Sequence, residues 1–456
     1  MADLPHDLLD DLRARGLLHQ CTDEAALREH LKQPRLLYAG FDPTADSLTV
    51  GNLVPLMLLK HFQQAGHTPV VLMGGGTGLI GDPSGKEAER TLRTPEEIEA
   101  NIAGQRPIFE RALDFDGEHA AIVVNNLDWL APLGYLEALR DIGKHFSVNM
   151  MIQKESVKER LHNREQGISY TEFSYMILQA YDFQRLYEDR AVTLQVGGSD
   201  QWGNIVAGVD LIRRRVVEKT AAMSPRDEQE RLALIDFGAR EGLVRHVCHG
   251  LTAPLVTKSD GGKFGKTESG AVWLSPDRTS PYAFYQFWLN AADDDVERYL
   301  KLFTLVPVAE IDALVARHAQ NPGAREAQRT LAEHVTRLIH GEEGLAAAEA
   351  ATRALFTGDV ASLDEAAISE VFAEVATSDH ARSDLAGDGV ALVDLLPGTS
   401  LAKSKREARE HLTNGAVSVN DAKVGPDARL TERDLLPGSV ILLRRGKKHW
   451  HVTRWG

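Results

Sequence analysis

The chain has 456 residues, enough for two to four domains with sizeable hydrophobic cores. Hydrophobic residues make up 43% and charged residues 26%, which are ordinary values for a globular protein. No apolar run approaches the ~20 residues that cross a bilayer. The acidic, helix-like N-terminus lacks the basic start and apolar stretch of a secretory signal. The two cysteines, Cys21 and Cys248, define neither a disulfide framework nor a zinc site, so we expect a cytoplasmic protein with no membrane contact.

The net charge of -15 argues against a general nucleic-acid binder, but the charge is unevenly distributed. Residues 401–456 carry 12 Lys and Arg against 6 Asp and Glu, a local net of +6, which leaves -21 on the preceding 400 residues. A basic module on an acidic body is typical of selective binding to one polyanion. A solvated basic tail fits the same charge pattern, and charge alone leaves both interpretations open.

The first half of the chain alternates strand-like and helix-like segments. A helix is expected from about Leu53 until Gly66 ends it. Four short apolar runs predict buried strands, at 35–40, 69–73, 120–125 and 191–196. This βαβ pattern predicts a Rossmann-like α/β fold with a doubly wound parallel sheet over roughly residues 30–245. Ligands of such a fold bind at the carboxyl ends of the strands.

The second half has a different character. Residues 285–385 are rich in Ala, Leu and Glu at helical spacing and predict an all-helical domain. The polar stretch 376–390 is typical of a linker. Residues 391–456 predict a small α+β module, with a helix at 390–396, a basic helix closed by Asn414 and Gly415, and short strands after it.

A glycine-rich stretch, GGGTGLIGDPSGK at 74–86, follows the second strand. Its glycines fit a dinucleotide fingerprint only superficially, because Asp82 and Pro83 stand where a helix should begin. A Walker loop is excluded by Ile80 and Glu87, which occupy positions that require Gly and Ser or Thr. The stretch is therefore either a loop that cradles phosphates or positions an amine, with Asp82, Lys86 and Arg90 nearby, or a plain tight turn.

Two further segments place polar residues at strand ends. Asp42, Thr44 and Asn52 follow the first strand, and Gly51 permits close approach of a ligand to a helix start that favours phosphate. In GGSDQWGN at 197–204, the side chains of Asp200 and Gln201 leave a glycine turn. A carboxylate there could bind the two hydroxyls of a ribose, or it could simply cap the next helix.

A third segment is a helix that opens at Ser169. Tyr175, Gln179 and Asp182 follow at spacings of four and three and share one helical face. The helix is otherwise apolar, so a solvated face explains this polar stripe poorly. A buried polar stripe needs partners, which a bound polar ligand would provide.

The last segment is KSDGGKFGKTESG at 258–270. Lys263, Lys266 and Thr267 lie among four glycines. A cationic loop of this kind suits a polyphosphate that is gripped in the transition state and then released. Taken alone, the segment is better explained as a flexible surface turn.

Together and in this order, the segments YAGFDPTADSL, GGGTGLIGDPSGK, FSYMILQAYDF, GGSDQWGN and KFGKTESG resemble the bacterial tyrosyl-tRNA synthetases, a branch of the class I aminoacyl-tRNA ligases. The resemblance covers roughly residues 5–456. The terminal module resembles the S-four type of RNA-binding domain. The resemblance implies four segments: a catalytic domain at 1–245 with a dimer-forming insertion, a mobile cationic region at 246–284, a helical tRNA-binding domain at 285–385 and the S-four-like module at 391–456.

The resemblance also implies residue roles. Tyr38 and Asp182 would bind the phenolic hydroxyl of tyrosine, and Asp82, Tyr175 and Gln179 would hold its α-ammonium. The remaining implied contacts are Asp42, Asn126 and Gln201 around the amino acid, Gly51, Asn52, Gly198 and Asp200 on the adenosine part of ATP, and Thr44, Lys86, Arg90, Lys263, Lys266 and Thr267 on the phosphates.

The implied reaction needs little proton chemistry. The tyrosine carboxylate is ionised at neutral pH and attacks the α-phosphorus of ATP without a general base, so positioning and charge stabilisation carry the catalysis. Mg²⁺ would accompany ATP, with no tightly bound cofactor and no metal site of the protein's own. The implied partners are L-tyrosine, ATP and a cognate tRNA, and the implied assembly is a homodimer.

Two features depart from the family pattern. A histidine that normally contacts the phosphates is replaced by Thr49, which keeps a donor on a shorter side chain. Residues 218–243 form a charged, helix-prone segment that resembles an insertion and has no assigned role.

Three competing functions are less well supported by the sequence. The replacement at Thr49 is compatible with a non-catalytic RNA-binding relative, but the retained Lys263 and Lys266 argue against it, because such a protein has no use for them. A tryptophanyl-tRNA ligase should lack the stripe of Tyr175, Gln179 and Asp182. A nicotinamide-dependent oxidoreductase is favoured only by the glycine spacing at 74–86.

Overall fold

The computed structural model describes residues 7–82, 93–154, 157–158, 161, 167–221, 248–267, 270–357, 360, 363, 365–372, 375–446 and 449–456. The chain forms two compact units. The first extends to Arg278 and includes Trp288–Ile339, and the second comprises Thr279–Phe287 and His340–Gly456. The four segments implied by the family resemblance remain predictions. Within the described residues, no helix has the length and apolar character to span a membrane.

The first unit is built on a six-stranded sheet. Its strands are β1 Gln20–Cys21, β2 Leu36–Phe41, β3 Thr68–Met73, β4 Ile122–Asn125, β5 Val192–Gly198 and β6 His249–Ala253. They lie in the order β1-β6-β5-β2-β3-β4, and every neighbouring pair is parallel except β1 with β6. Each of the four strands predicted from sequence lies within two residues of β2, β3, β4 or β5. The doubly wound parallel sheet is therefore confirmed.

Helices cover this sheet and continue into a helical region. They are α1 Leu8–Ala14, α2 Glu24–His30, α3 Leu53–Gln64, α4 Pro95–Ala112, α5 Leu127–Leu130, α6 Tyr135–Glu137, α7 Val148–Ile152, α8 Tyr170–Arg190, α9 Trp202–Ala221, α10 Pro281–Leu289, α11 Asp293–Phe303, α12 Val308–Gln320 and α13 Glu326–Thr357. Helix α13 is interrupted at Gly341, whose φ of 72° is not helical. Residues 281–287 of α10 and 340–357 of α13 belong to the second unit. A two-stranded ribbon, β7 Lys266–Thr267 with β8 Gly270–Ala271, precedes α10.

Strand burial explains why the sequence shows apolar runs rather than alternation. Parallel strands that are covered on both faces bury successive side chains, and β3 buries every residue from Pro69 to Met73. Helix α8 packs against this sheet, with Phe183 5.3 Å from the ring of Tyr38 on β2. Its first turn is capped by Ser169, whose hydroxyl accepts a hydrogen bond from the amide of Glu172 at 3.2 Å.

The second unit contains a five-stranded sheet in the order β12-β11-β14-β15-β9. Its strands are β9 Thr377–His380, β11 Val417–Val419, β12 Ala422–Lys423, β14 Val440–Arg445 and β15 His449–Trp455, while β10 Val390–Ala391 pairs with β13 Arg429–Leu430. The helices here are α14 Glu365–Val371, α15 Leu392–Leu395 and α16 Lys405–Thr413. The prediction that 376–390 is only a linker was wrong, because β9 pairs in parallel with β15.

Candidate active site

The strand order reverses between β2 and β5, and this crevice is where open α/β sheets bind ligands. Tyr38 of β2 is paired in register with Gln195 of β5. Both side chains are buried. The segments predicted to carry function converge here, because Asp42 follows β2 and the turn of Gly198 and Asp200 ends β5.

A buried carboxylate lies at the inner end of this crevice. Asp182 of α8 is 1% exposed and accepts hydrogen bonds from Asn126 Nδ2 at 2.9 Å and from Trp129 Nε1 at 2.7 Å. Burial raises the pKa of Asp182 to about 7, although both hydrogen bonds favour the ionised form. The neighbouring Tyr38 hydroxyl is fully buried, and burial together with the charge of Asp182 raises its pKa well above the usual value.

A second carboxylate is tied to the first through two side chains. The hydroxyl of Tyr175 donates to Asp42 Oδ2 at 2.9 Å, and the hydroxyl of Thr77 donates to Asp42 Oδ1 at 2.8 Å. Asn126 Nδ2 donates to Thr77 Oγ1 at 2.9 Å and also reaches Asp182. The network fixes both carboxylates in place, because each of their oxygens has its own donor.

The glycine-rich stretch orients this network. A Cβ on Gly74 would lie 2.2 Å from Asp42 Oδ1, so only glycine lets the backbone pass the carboxylate. The amide of Gly76 donates to Asn126 Oδ1 at 2.7 Å, and the amides of Gly74, Gly75 and Gly78 donate to backbone carbonyls. Because these amides are paired within the protein, the geometry favours positioning of an amine over a phosphate cradle.

A third carboxylate, Asp82, is 7% exposed and accepts a hydrogen bond from Gln201 Nε2 at 2.6 Å. Gln201 is held in turn by Asn204 Nδ2, at 3.2 Å from its Oε1. Desolvation of the carboxyl group and the charge of Asp82 raise the pKa of Asp200. Burial raises the pKa of Tyr175, and the charges of Asp42 and Asp82 add to the effect. The site therefore concentrates negative charge, which suits a cationic group on a ligand.

Three buried polar atoms at the crevice have no hydrogen-bond partner among the described residues. They are the hydroxyl of Tyr38 and the Oε1 atoms of Gln179 and Gln195. Buried polar groups are nearly always paired, and an unpaired one costs roughly 1–3 kcal/mol. A polar ligand would satisfy them, which is the interpretation proposed from the helical stripe.

The predicted nucleotide side starts at a 3₁₀ turn, Val50–Asn52, ahead of α3. Both the amide and the hydroxyl of Thr49 donate to Asn52 Oδ1, each at 3.0 Å. Thr49 thus fixes the orientation of the Asn52 amide group. Gly51 is exposed at the same turn, as is Thr44 in the preceding loop.

We call residues 257–267 the lysine loop. Lys263 and Lys266 are both exposed. Gly265 between them has a φ of 74°, and a Cβ there would lie 2.6 Å from Val50 Cγ2. The loop therefore lies directly against the turn that contains Gly51 and Asn52. Lys86, Arg90 and the side chain of Thr267 lie outside the described residues, as does most of 218–243.

The sequence interpretation missed three residues of the site. Thr77 and Trp129 bond to the carboxylates of Asp42 and Asp182, and neither stands out in its sequence context. Gln195 carries a signal that was overlooked, since a glutamine within the apolar run AVTLQV is unexpected in a buried strand.

Two family models match the chain. The model for class I tRNA synthetases of the W and Y type covers residues 31–357, and the model for a tyrosine–tRNA ligase SYY-like C-terminal domain covers residues 368–453. A tyrosine–tRNA ligase from Aliivibrio fischeri is 49% identical over 99% of both chains. One from Geobacillus stearothermophilus is 49% identical over 98% of this chain and 100% of its own.

Solved structures of two tyrosyl-tRNA synthetases resemble about three quarters of the chain. A C-terminally truncated mitochondrial tyrosyl-tRNA synthetase from Coccidioides posadasii has a TM-score of 0.63 at 34% identity. It covers 75% of this chain and 91% of its own. The corresponding protein from Aspergillus nidulans has a TM-score of 0.65 at 30% identity, over 76% of this chain and 94% of its own.

Proposed function

The chain belongs to the class I tRNA synthetases of the tryptophan and tyrosine type, and on that premise we propose that its crevice carries out the tyrosine–tRNA ligase reaction. In this reaction tyrosine and ATP form tyrosyl-adenylate and pyrophosphate, and tyrosine then passes to the 3′ end of the cognate tRNA. The observation that carries the proposal is the buried hydroxyl of Tyr38, unpaired among the described residues, beside the carboxylate of Asp182.

We propose that these two groups bind the phenolic hydroxyl of the substrate. The substrate hydroxyl donates a hydrogen bond to the carboxylate of Asp182 and accepts one from the hydroxyl of Tyr38. We call these two residues the hydroxyl pocket. A substrate without the hydroxyl would leave the buried Tyr38 hydroxyl unsatisfied and would bring no further donor to Asp182, so phenylalanine is penalised. Tryptophan carries an indole N–H that donates but cannot accept, which would leave the Tyr38 hydroxyl without a partner.

The α-ammonium of tyrosine fits the negative end of the crevice. Asp82, Tyr175 and Gln179 are proposed to hold it. The Oε1 of Gln179 is an unpaired acceptor among the described residues, and the carboxylate of Asp82, which Gln201 Nε2 helps to orient, adds a negative charge. Asp42, Asn126 and Gln201 orient these groups through the hydrogen bonds described above.

The nucleotide is proposed to lie along the turns that flank the crevice. Gly51, Asn52, Gly198 and Asp200 would bind its adenosine part. Leu255, 62% exposed, lies near Gly198 and offers an apolar surface to the base. The reaction then needs charge stabilisation on the leaving pyrophosphate, which the lysine loop supplies through two cations.

The full set of proposed phosphate contacts is Thr44, Thr49, Lys86, Arg90, Lys263, Lys266 and Thr267. All but Thr49, which replaces a histidine of the family, follow from the resemblance. Mg²⁺ is proposed to enter bound to ATP, as part of that substrate. Among the described residues, no group of three or more His, Cys, Asp or Glu side chains could hold a metal ion.

The tRNA is proposed to contact the basic helix α16 of the second unit. Lys403, Lys405, Arg406 and Arg409 lie within or just before this helix and are exposed. One of them, Lys405, also pairs with Asp394 at 2.7 Å. Exposed cations on one short segment suit contacts to phosphates, which set affinity and make it dependent on salt.

We further propose a homodimer. Residues 135–152 expose six large apolar side chains: Tyr135, Leu136, Leu139, Val148, Met150 and Ile152, each between 38% and 79% exposed. Such a cluster is typical of an interface that a second copy covers. Sedimentation should show a dimer, and Leu136→Asp should shift it to monomer while Ala347→Asp, a control at an exposed position of α13, should not. A monomeric wild-type protein at micromolar concentration would contradict the proposal.

A cytoplasmic location is also proposed, in keeping with the substrates ATP and tRNA and with two free cysteines. The activity is tested by exchange of labelled pyrophosphate into ATP with tyrosine, phenylalanine or tryptophan. Exchange with tyrosine alone is expected. Exchange with tryptophan alone would contradict the assignment of the hydroxyl pocket, and no exchange with any of the three would leave the non-catalytic RNA-binding relative as the better explanation.

A further inference from the structure

The lysine loop is fastened to helix α11 at its start. Asp295, in the first turn of α11, is 4% exposed. Its carboxylate accepts the amide of Ser259 at 3.1 and 3.2 Å and the hydroxyl of Ser259 at 3.1 Å. Arg298 bonds the same carboxylate at 2.9 Å and also the carbonyl of Thr257. Bonds to an ionised acceptor are roughly twice as strong as neutral ones, so this contact resists separation.

A second contact between the lysine loop and the helices is made by Phe264, which lies between Lys263 and Lys266 in the sequence. Phe264 directly follows Lys263 and enters an aromatic cluster formed by α10 and α11. Its ring centroid is 6.0 Å from Trp288, 5.2 Å from Tyr299 and 5.3 Å from Phe303, with the last pair nearly parallel at 7°. Trp288 and Phe303 are fully buried. A loop residue in such a cluster is held by area burial as well as by ring contacts.

Helix α11 is itself fixed to the sheet-bearing part of the unit. Arg15, 5% exposed, donates to the carbonyl of Thr304 at 3.1 Å and to that of Val306 at 3.0 Å. These carbonyls lie just beyond the last turn of α11, where a cation is favoured. Helix α11 also packs against α3, which begins directly after the 3₁₀ turn Val50–Asn52. We call this turn the nucleotide turn.

The loop backbone is joined to that same turn. The amide of Val272 donates to the carbonyl of Gly265 at 2.9 Å, and the amide of Val50 donates to the carbonyl of Val272 at 3.0 Å. The loop is therefore bounded on one side by the nucleotide turn and on the other by α11. Lys263 and Lys266 lie on the exposed edge between these contacts.

We infer that Asp295 and the aromatic cluster around Phe264 are positioning residues, which hold Lys263 and Lys266 where they act on the pyrophosphate of the transition state. The inference rests on the proposed role of these lysines. Misplacing a charged group by a small distance costs rate without affecting the binding of tyrosine, whose proposed contacts lie outside the loop. The helical region thereby becomes part of the activation step.

The test uses the full-length protein and four variants. Asp295→Asn keeps the shape of the side chain but removes its charge and one acceptor, and Phe264→Ala removes the ring while Phe264→Leu keeps an apolar filling. Asp294→Asn, exposed one position earlier, is the matched control. Three quantities are measured for each: kcat of pyrophosphate exchange, equilibrium affinity for tyrosine, and the rate of tryptic cleavage after Lys258, Lys263 and Lys266.

We expect kcat to fall about tenfold or more in Asp295→Asn and Phe264→Ala, with partial rescue in Phe264→Leu. Tyrosine affinity should change less than about twofold, cleavage should accelerate, and Asp294→Asn should match the wild type. A wild-type kcat in Asp295→Asn, or a loss of tyrosine affinity as large as the loss of kcat, overturns the inference. If the wild type shows no tyrosine-dependent exchange, the proposed function fails, and unaltered cleavage in Asp295→Asn would refute the loop contact separately.

Discussion

Removing the hydroxyl of Tyr38 should have opposite effects on the free protein and on the complex with tyrosine. In the free protein this hydroxyl is fully buried and unpaired among the described residues. Such a group costs roughly 1–3 kcal/mol, because it has lost its hydrogen bonds to water and gained none. In the complex the same hydroxyl is proposed to donate to the phenolic oxygen of the substrate.

The magnitudes follow from these two states. Tyr38→Phe should raise the stability of the free first unit by ~1 kcal/mol or more, which corresponds to a Tm increase of about 1–2 °C for a unit of roughly 330 residues. Loss of one neutral hydrogen bond should weaken tyrosine binding by about 0.5–1.5 kcal/mol, a factor of roughly 2 to 13. Phenylalanine affinity should stay the same or improve, so discrimination between the two amino acids should fall.

The assay combines calorimetry of the ligand-free protein with equilibrium titration of tyrosine and phenylalanine. Tyr187→Phe serves as a control, because Tyr187 lies on the same helix α8 and packs against the same core. It should leave the tyrosine affinity unchanged. A lower Tm for ligand-free Tyr38→Phe would refute the claim that the hydroxyl is unsatisfied. Unchanged discrimination against phenylalanine would refute its role in the hydroxyl pocket.

Four further outcomes are expected. Since burial raises the pKa of Asp182 to about 7, tyrosine affinity should increase as the pH rises through about 7, and Asp182→Asn should remove this dependence in calorimetric titrations. In the ligand-free folded protein the Asp182 carboxyl group keeps its proton up to about pH 7, whereas in the unfolded chain it loses the proton near pH 3.8. The free energy of unfolding measured in denaturant titrations should therefore decline by the contribution of Asp182 between about pH 4 and 7. Asp82→Asn should raise the KM for tyrosine by about 10-fold or more through loss of a charged acceptor for the ammonium group, without altering discrimination against phenylalanine. Thr49→Ala should raise the KM for ATP by about 2- to 10-fold, since it removes the hydroxyl, which is one of the two donors that orient the Asn52 side chain, while Thr49→Ser should restore it; an unchanged KM in the alanine variant would contradict the positioning role of the hydroxyl.

The sheet and the crevice were predictable because they depend on local signals. Buried parallel strands give apolar runs, and the polar residues that follow them mark the ends where ligands bind. The stripe of Tyr175 and Asp182 was predictable for the same reason, since helical spacing alone places both on one buried face. Such features can be predicted without knowing which residues distant in sequence are in contact.

The features that escaped prediction are long-range. Strand β9 has too few residues and too polar a sequence to be recognised, and it is a strand only because β15, some 70 residues later, pairs with it. Trp129 contributes to the site only because β4 lies beside β3, which brings its indole within 2.7 Å of Asp182. The raised pKa of Asp182 likewise depends on burial that no local pattern encodes.

The distribution of charge in the site explains why its cations lie on a loop. The crevice concentrates carboxylates, which favours the ammonium of the amino acid but repels the phosphates of ATP. Cations fixed inside the crevice would pair with Asp42 and Asp82 and lose their effect on the nucleotide. Lys263 and Lys266 are instead exposed, on a loop that α11 contacts at Ser259 and Phe264, and neither forms an ion pair with these carboxylates among the described residues. With the roles proposed for these residues, the two substrates meet opposite charges that are anchored to different elements, and we expect the precision of the reaction to depend on the contacts that join those elements.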